Sequence, residues 1–151
     1  MFSSAESSFM SLAIDQAKVA YQNNEVPVGA IIVKDNKVIG KGRNRVIENQ
    51  NVSSHAEIEA IIDASKKIKN YRLNKSTVYV TLEPCHMCLK AMIDARIDEV
   101  IFATTEPKTG SIISVDNFLD RIKFNHKVSF RHGLMKEKSE KLLKDFFKDR
   151  R

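Results

Sequence analysis

Thr77-Val78-Tyr79-Val80-Thr81-Leu82-Glu83-Pro84-Cys85-His86-Met87-Cys88 decides the reading of this chain. Residues 77–81 are nearly all β-formers, which predicts a strand. Pro84 has no N–H to lose and its ring presets φ, so it suits the first turn of a helix, predicted to run to about Ala95. A strand that feeds at once into a helix is the repeating unit of an α/β sheet. The two cysteines near this turn are the only cysteines in the chain.

The flanking sequence extends the same pattern. Phe9, Leu12, Ala13, Ala17 and Ala20 recur at three- and four-residue steps and predict a helix over Glu6–Asn23. Val26–Val33 and Lys37–Gly42 flank a turn at Asp35-Asn36 and predict a hairpin. Ser53-Ser54 is predicted to cap a helix running from near His55 to about Lys67. Glu99–Ala103 predicts a fourth strand and Lys127–Phe130 a short fifth. Lys136–Phe147 predicts a closing amphipathic helix, with Leu142, Leu143, Phe146 and Phe147 apolar. Glu106–Ser114 carries Pro107 and Gly110 and reads as a loop after a strand end, where α/β folds often place function. The order α-β-β-α-β-α-β, then β-α, predicts an α/β fold: one domain over residues 1–151, with a mixed sheet and helices on its faces.

Composition narrows the class. With 151 residues, 42% hydrophobic and 29% charged, the chain has the ordinary balance of a globular domain able to bury a core. No apolar run approaches the ~20 residues that span a bilayer, which predicts no membrane segment. Met1–Glu6 lacks the basic and apolar regions of a signal peptide, so a cytoplasmic location is expected. The net charge is +6. Arg121–Arg151 holds eleven Lys and Arg against four Asp and Glu, whereas residues 1–120 carry a net charge of −1. All the excess positive charge therefore lies in the last fifth of the chain. Such a face attracts polyanions, but a solvated Lys-rich helix has the same composition, and charge alone does not separate the two.

His55-Ala56-Glu57 complements the cysteine pair, with Cys85 following Glu57 by 28 residues. One imidazole and two thiolates are three soft ligands. A tetrahedral metal with three protein ligands keeps a position open for water, which marks a catalytic rather than a structural centre. His with two thiolates favours zinc. His55 and the cysteines sit at the starts of helices that follow strands of one sheet, so the two helix ends can face each other. Cys85-x-x-Cys88 puts both sulfurs on one turn, and the positive helix end favours thiolate. Glu57 is two residues beyond His55 and can enter the same cavity without coordinating, as a proton carrier; a carboxylate at a helix start is also favoured simply by the dipole. His86, one step from Cys85, is expected to face away from the metal. His126 and His132 have no partner spacing. A disulfide framework would call for more cysteines and a signal sequence, and a thioredoxin-like redox pair would not need His-Ala-Glu upstream.

His-x-Glu followed by Pro-Cys-x-x-Cys is the signature of the zinc nucleobase deaminases. On these residues the chain resembles the cytidine deaminase superfamily, and closely the bacterial tRNA-specific adenosine deaminases. The resemblance spans nearly the whole chain. It rests on Glu25-Val26-Pro27-Val28-Gly29-Ala30, Asn44-Arg45, His55-Ala56-Glu57-Ile58, Asn70-Tyr71-Arg72-Leu73, Tyr79–Cys85 and Met87-Cys88. Further support comes from Ala91-Met92-Ile93, Arg96-Ile97, Lys108-Thr109-Gly110, Asp145-Phe146-Phe147 and Arg150-Arg151. The zinc motifs belong to the whole superfamily; segments 25–30, 70–73 and 108–110 point to the tRNA enzymes.

The resemblance implies a three-layer cytidine-deaminase-like fold with a mixed five-stranded sheet flanked by helices. It implies hydrolytic deamination of adenosine to inosine at the wobble position of a tRNA anticodon stem-loop. It further implies one Zn2+ per subunit on His55, Cys85 and Cys88, Glu57 as the catalytic proton carrier, and a homodimer. By position, Asn44 would hydrogen-bond the flipped base and Val28 would wall its pocket. The backbone at Ala56, Leu82 and Glu83 would line that pocket. Arg45, Glu106, Lys108, Arg150 and Arg151 would meet the RNA. Glu106 stands where many relatives carry Asp, and Ser111-Ile112-Ile113-Ser114 where small Ala and Gly are common, which predicts a differently shaped loop.

Two other readings share part of this pattern. A free-base or nucleotide deaminase, for guanine or cytosine, shares the zinc motif but would not need a basic C-terminal helix of about 136–148. A zinc-stabilised RNA-binding module without catalysis would have no use for Glu57.

Overall fold

The computed structural model describes residues 1–150. Its elements in chain order are α1 (Ser4–Gln22), β1 (Gly29–Lys34), β2 (Lys37–Arg43), α2 (Ala56–Ile68), β3 (Ser76–Leu82), α3 (His86–Asp94), β4 (Glu99–Thr104), α4 (Phe118–Arg121), β5 (Ser129–His132) and α5 (Lys136–Asp149). The sheet order is β2-β1-β3-β4-β5. β1 pairs antiparallel with both β2 and β3, while β3–β4 and β4–β5 are parallel. The sheet is therefore mixed, as the order of elements predicts.

Side-chain alternation along the central strands builds two cores. Ile32, Val78, Val80, Val100 and Phe102 face one side and pack with Ala56, Ala60 and Ala64 of α2 and Leu89 and Met92 of α3. Ile31, Val33, Tyr79, Ile101 and Ala103 face the other side, with Met10 and Ala13 of α1 and Leu134. Each central strand is apolar on both faces because helices cover both. α5 reaches the second face, where Ser139 Oγ donates to the carbonyl of Thr81 at 2.5 Å.

Local chemistry sets the element ends. α1 begins with a capping box: Ser3 Oγ accepts from Glu6 N at 3.1 Å, and Glu6 Oε1 accepts from Ser3 N at 2.9 Å. Asp35 and Asn36 both lie in the left-handed region, at φ 52° and 60°, the backbone that closes a two-residue hairpin.

Several boundaries differ from expectation. β1 starts at Gly29, not Val26, because residues 26–28 turn on a Val28 N to Val26 O hydrogen bond of 2.8 Å. β5 runs over 129–132 rather than 127–130, in register with Glu99–Phe102. The cap of α2 is His55, not Ser53-Ser54; Ser53 instead closes a turn on Asn51 Oδ1. Pro84 lies outside α3, because Cys85 is held extended in a bridge to Gly110 and the helix begins at His86. The single turn α4 has no apolar periodicity long enough to announce it.

Candidate active site

The C-terminal ends of β3 and β4, and the loops leaving them, carry the site. α2 and α3 start here, on the same face of the sheet. α2 can approach closely because Ala56, Ala60 and Ala64 form a small-residue stripe against Gly40 and Gly42 of β2. A Cβ on Gly42 would collide with the carbonyl of Ala56 and the amide of Ala60. His55 is the N-cap but makes no capping hydrogen bond with its side chain. Asn44 replaces it: Asn44 Oδ1 accepts from Ala56 N at 3.0 Å, and Asn44 Nδ2 donates to the carbonyl of Val26 at 3.1 Å. The imidazole of His55 is thereby free for the cysteines.

His55 Nδ1 lies 3.6 Å from Cys85 Sγ and 3.4 Å from Cys88 Sγ. The three ligand atoms all lie within 4.8 Å of one another. Tetrahedral zinc at ordinary Zn–N and Zn–S lengths would separate such atoms by about 3.5–3.8 Å, so this donor set fits that ion. His86 is not in the cluster. Its Nδ1 pairs with Asp116 Oδ2 at 2.8 Å, and its ring packs at a tilt against Phe118, 3.8 Å between centroids. His126 and His132 are also elsewhere, the first on the carbonyl of Ile97 and the second stacked on Phe102.

The electrostatics of the cluster are strongly perturbed. A hydrogen bond from Cys88, with further help from His55, pulls the Cys85 thiol down to about 4. Cys88 is driven far up, first by the neighbouring Cys85 and then by burial. His55 is raised, chiefly by its hydrogen bond with Cys85. Glu57 is buried, and burial pushes its carboxyl up to about 7. A carboxyl poised near neutrality both takes and gives protons, the property of a general acid–base.

These groups open into a cavity of about 440 Å³, within the range of small-molecule sites, roughly 300–1,000 Å³. Its walls include Val28, Asn44, His55, Glu57, Leu82, Glu83, Cys85 and Arg150 from the sequence-predicted set. Ala56 is buried beneath it and contributes the N–H bound to Asn44. Arg45 does not line it, and its guanidinium pairs with Glu48. Glu106 caps the amide of Lys108 at 3.0 Å, and Lys108 is exposed. Arg150 is held at the rim by Asn24 Oδ1 at 2.9 Å and lies 3.6 Å over the Phe146 ring. Arg151 lies outside the described residues.

Other wall residues had no assigned role in sequence. Glu25, Val26, Val46, Ile47, Thr109 and Phe146 all line the cavity. The buried Glu25 carboxylate accepts from Ile47 N at 3.1 Å and Glu48 N at 2.8 Å, pinning the 44–55 loop over the site. The side chain of Glu83, more than its backbone, organises the opposite wall: it accepts from the amides of Glu106, Ile112, Ile113 and Ser114 and from Ser114 Oγ. An acidic residue just before a proline carries no sequence signal for such a role.

Comparison with known proteins agrees with this geometry. Residues 4–151 match the model of the MafB19-like deaminase family. A tRNA-specific adenosine deaminase of Aquifex aeolicus is 43% identical over 140 residues, covering 93% of this chain and 92% of the relative. That of Buchnera aphidicola subsp. Schizaphis graminum is 39% identical, covering 100% and 99%. A solved structure from studies of A-to-I editing by tRNA:A34 deaminases at the wobble position of transfer RNA superposes with a TM-score of 0.87. It is 37% identical and covers 90% of this chain and 99% of that one. A guanine deaminase from Nitrosomonas europaea, with a TM-score of 0.80 but 18% identity, shares the fold alone. The chain belongs to the MafB19-like deaminases and, among them, to the tRNA-specific adenosine deaminases.

Proposed function

We propose that this protein deaminates adenosine to inosine at the wobble position of a tRNA anticodon stem-loop, with one zinc ion per subunit on His55, Cys85 and Cys88. The observation that carries the reading is the buried Glu57 carboxyl beside that triad, on the wall of a cavity of about 440 Å³. The relatives' shared activity supports the choice of substrate.

Zinc bound there supplies Lewis-acid activation of a water molecule. Glu57 accepts the proton that this water loses as it attacks the amine-bearing carbon of the base. Glu57 passes that proton to the ring nitrogen, then takes a second from the newly added hydroxyl as the carbonyl forms and hands it to the amine, which leaves as ammonia. Burial raises its proton affinity enough to do both near neutral pH. Asn44 keeps a second amide hydrogen and a second lone pair beyond its two backbone bonds, and these orient the base. Val28 and Leu82 wall the base apolarly. Arg45, Glu106, Lys108, Arg150 and Arg151 meet the RNA around it. The enzyme works in the cytoplasm, where tRNA is, and as a homodimer. Among the described residues no helix is long and apolar enough to cross a membrane.

The test is Glu57→Ala, measured for bound metal and for inosine. The variant retains zinc and loses at least about a thousandfold in rate, the scale of a general acid–base contribution. Inosine formed at the wild-type rate would assign the proton transfers elsewhere.

A further inference from the structure

A second concavity of about 670 Å³ lies outside the active-site cavity, lined by residues 119–124 and 126–130. Its upper end is α4, whose Phe118 packs at a tilt against His86, the residue after Cys85. Its lower end is the start of β4, where His126 Nε2 holds the carbonyl of Ile97 at 2.6 Å and Ser129 N bonds the carbonyl of Asp98. Between these ends runs α3, nine residues or about 14 Å of helix. The groove therefore descends the flank of the sheet, away from the active-site end.

Its chemistry is that of a polyanion surface. Arg121, Lys123 and Lys127 line it against one carboxylate, Asp120. Arg121 is tied to Asp116, but Lys123 and Lys127 are exposed and have no ion-pair partner among the described residues. The apolar side chains Ile122 and Phe130 stand exposed in the same groove. Cations beside exposed aromatic and aliphatic surface are the combination that tracks a sugar–phosphate backbone. Part of the positive excess of the last fifth of the chain is thus gathered on this flank rather than at the cavity mouth.

We infer that this groove is a second RNA-binding surface, which takes the sugar–phosphate backbone of the tRNA outside the anticodon loop while the loop occupies the active site. The inference rests on the tRNA reading above. Lys123 and Lys127 each meet a phosphate, and Phe130 packs against ribose. The surface adds affinity for full-length tRNA and none for an isolated stem-loop.

The experiment reverses both lysines, Lys123→Glu with Lys127→Glu, in the full-length zinc-loaded protein. Binding of a full-length tRNA transcript and of its isolated anticodon stem-loop is measured over a salt series. Both side chains are exposed, so the fold is expected to survive, which thermal melting verifies. The dissociation constant for full-length tRNA is expected to rise about tenfold and its salt slope to fall by about two, one for each lost phosphate contact. Stem-loop affinity and inosine formation in the stem-loop stay at wild-type values, and Lys→Arg at both positions restores tRNA binding. Equal weakening of the two RNAs, or no weakening of either, overturns the inference. So does a changed mass by light scattering, which would assign the groove to contact with a second copy. The tRNA reading fails separately, if the wild-type protein makes inosine in neither RNA.

Discussion

The Glu83 carboxylate accepts the backbone N–H of Ile113 at 2.7 Å, thirty residues along the chain. The same two oxygens take three further amides and a hydroxyl from residues 106–114. Burial alone would raise this carboxyl, yet the donated hydrogen bonds outweigh it and hold Glu83 below its ordinary range. One side chain thus shapes the loop that carries Thr109 to the cavity wall and Lys108 to the surface. Glu83→Ala leaves the buried Ile112 amide and four partly buried donors without a partner and should cost about 3 kcal/mol of stability, read by chemical denaturation. Glu83→Gln, which keeps one acceptor oxygen, should cost less. Equal stability of wild type and Glu83→Ala would mean the loop is held by its own turns.

Gly42 governs how near α2 comes to the sheet, because a methyl group there would strike Ala56 and Ala60. Gly42→Ala should displace the helix start that carries His55 and Glu57. A stability loss of about 3 kcal/mol is expected from overpacking. Weaker metal retention should accompany it, measured by competition with a chelator. Unchanged metal affinity in a destabilised variant would uncouple the helix position from the site.

Arg131 joins the start of α1 to the edge strand through ion pairs with Glu6 and Glu99. The Arg131 hydrogen bond, backed by Ser3, lowers the Glu6 carboxyl below its ordinary 4.5. A carboxyl whose folded pKa is depressed adds stability that is present above its ordinary value and lost as pH falls through the folded one. Wild type should therefore lose stability more steeply than Glu6→Gln below about pH 4.5, with the gap between them widest toward neutral pH. Parallel acid limbs would show that the pair is fully screened by solvent.

Much of this was legible in the sequence, and the rest was not, for physical reasons. The mixed sheet followed from β-branched strands alternating with helical periods, and the clustering of His55, Cys85 and Cys88 side chains from their places at two helix starts. Boundaries slipped where tertiary partners overrode local preference. Cys85 is drawn into an extended bridge with Gly110, which moves Pro84 out of the helix. His55 takes the cap position without capping, because Asn44, twelve residues upstream of Ala56, supplies the acceptor. The roles of Glu25 and Glu83 depend on amides 22 to 31 residues distant, and no local pattern records such contacts. Arg45 reads as an RNA contact by position, but the structure shows it engaged with Glu48, which it must release to meet a phosphate.

The central claim is tested most directly by inosine formation with the purified, zinc-loaded protein. The substrate is an anticodon stem-loop with adenosine at the wobble position, with free adenosine, cytidine and guanine run in parallel. Inosine in the stem-loop, with no turnover of the free compounds, is the predicted result. Turnover of a free base or nucleoside with the stem-loop left intact would contradict the account and return the chain to the small-molecule deaminases.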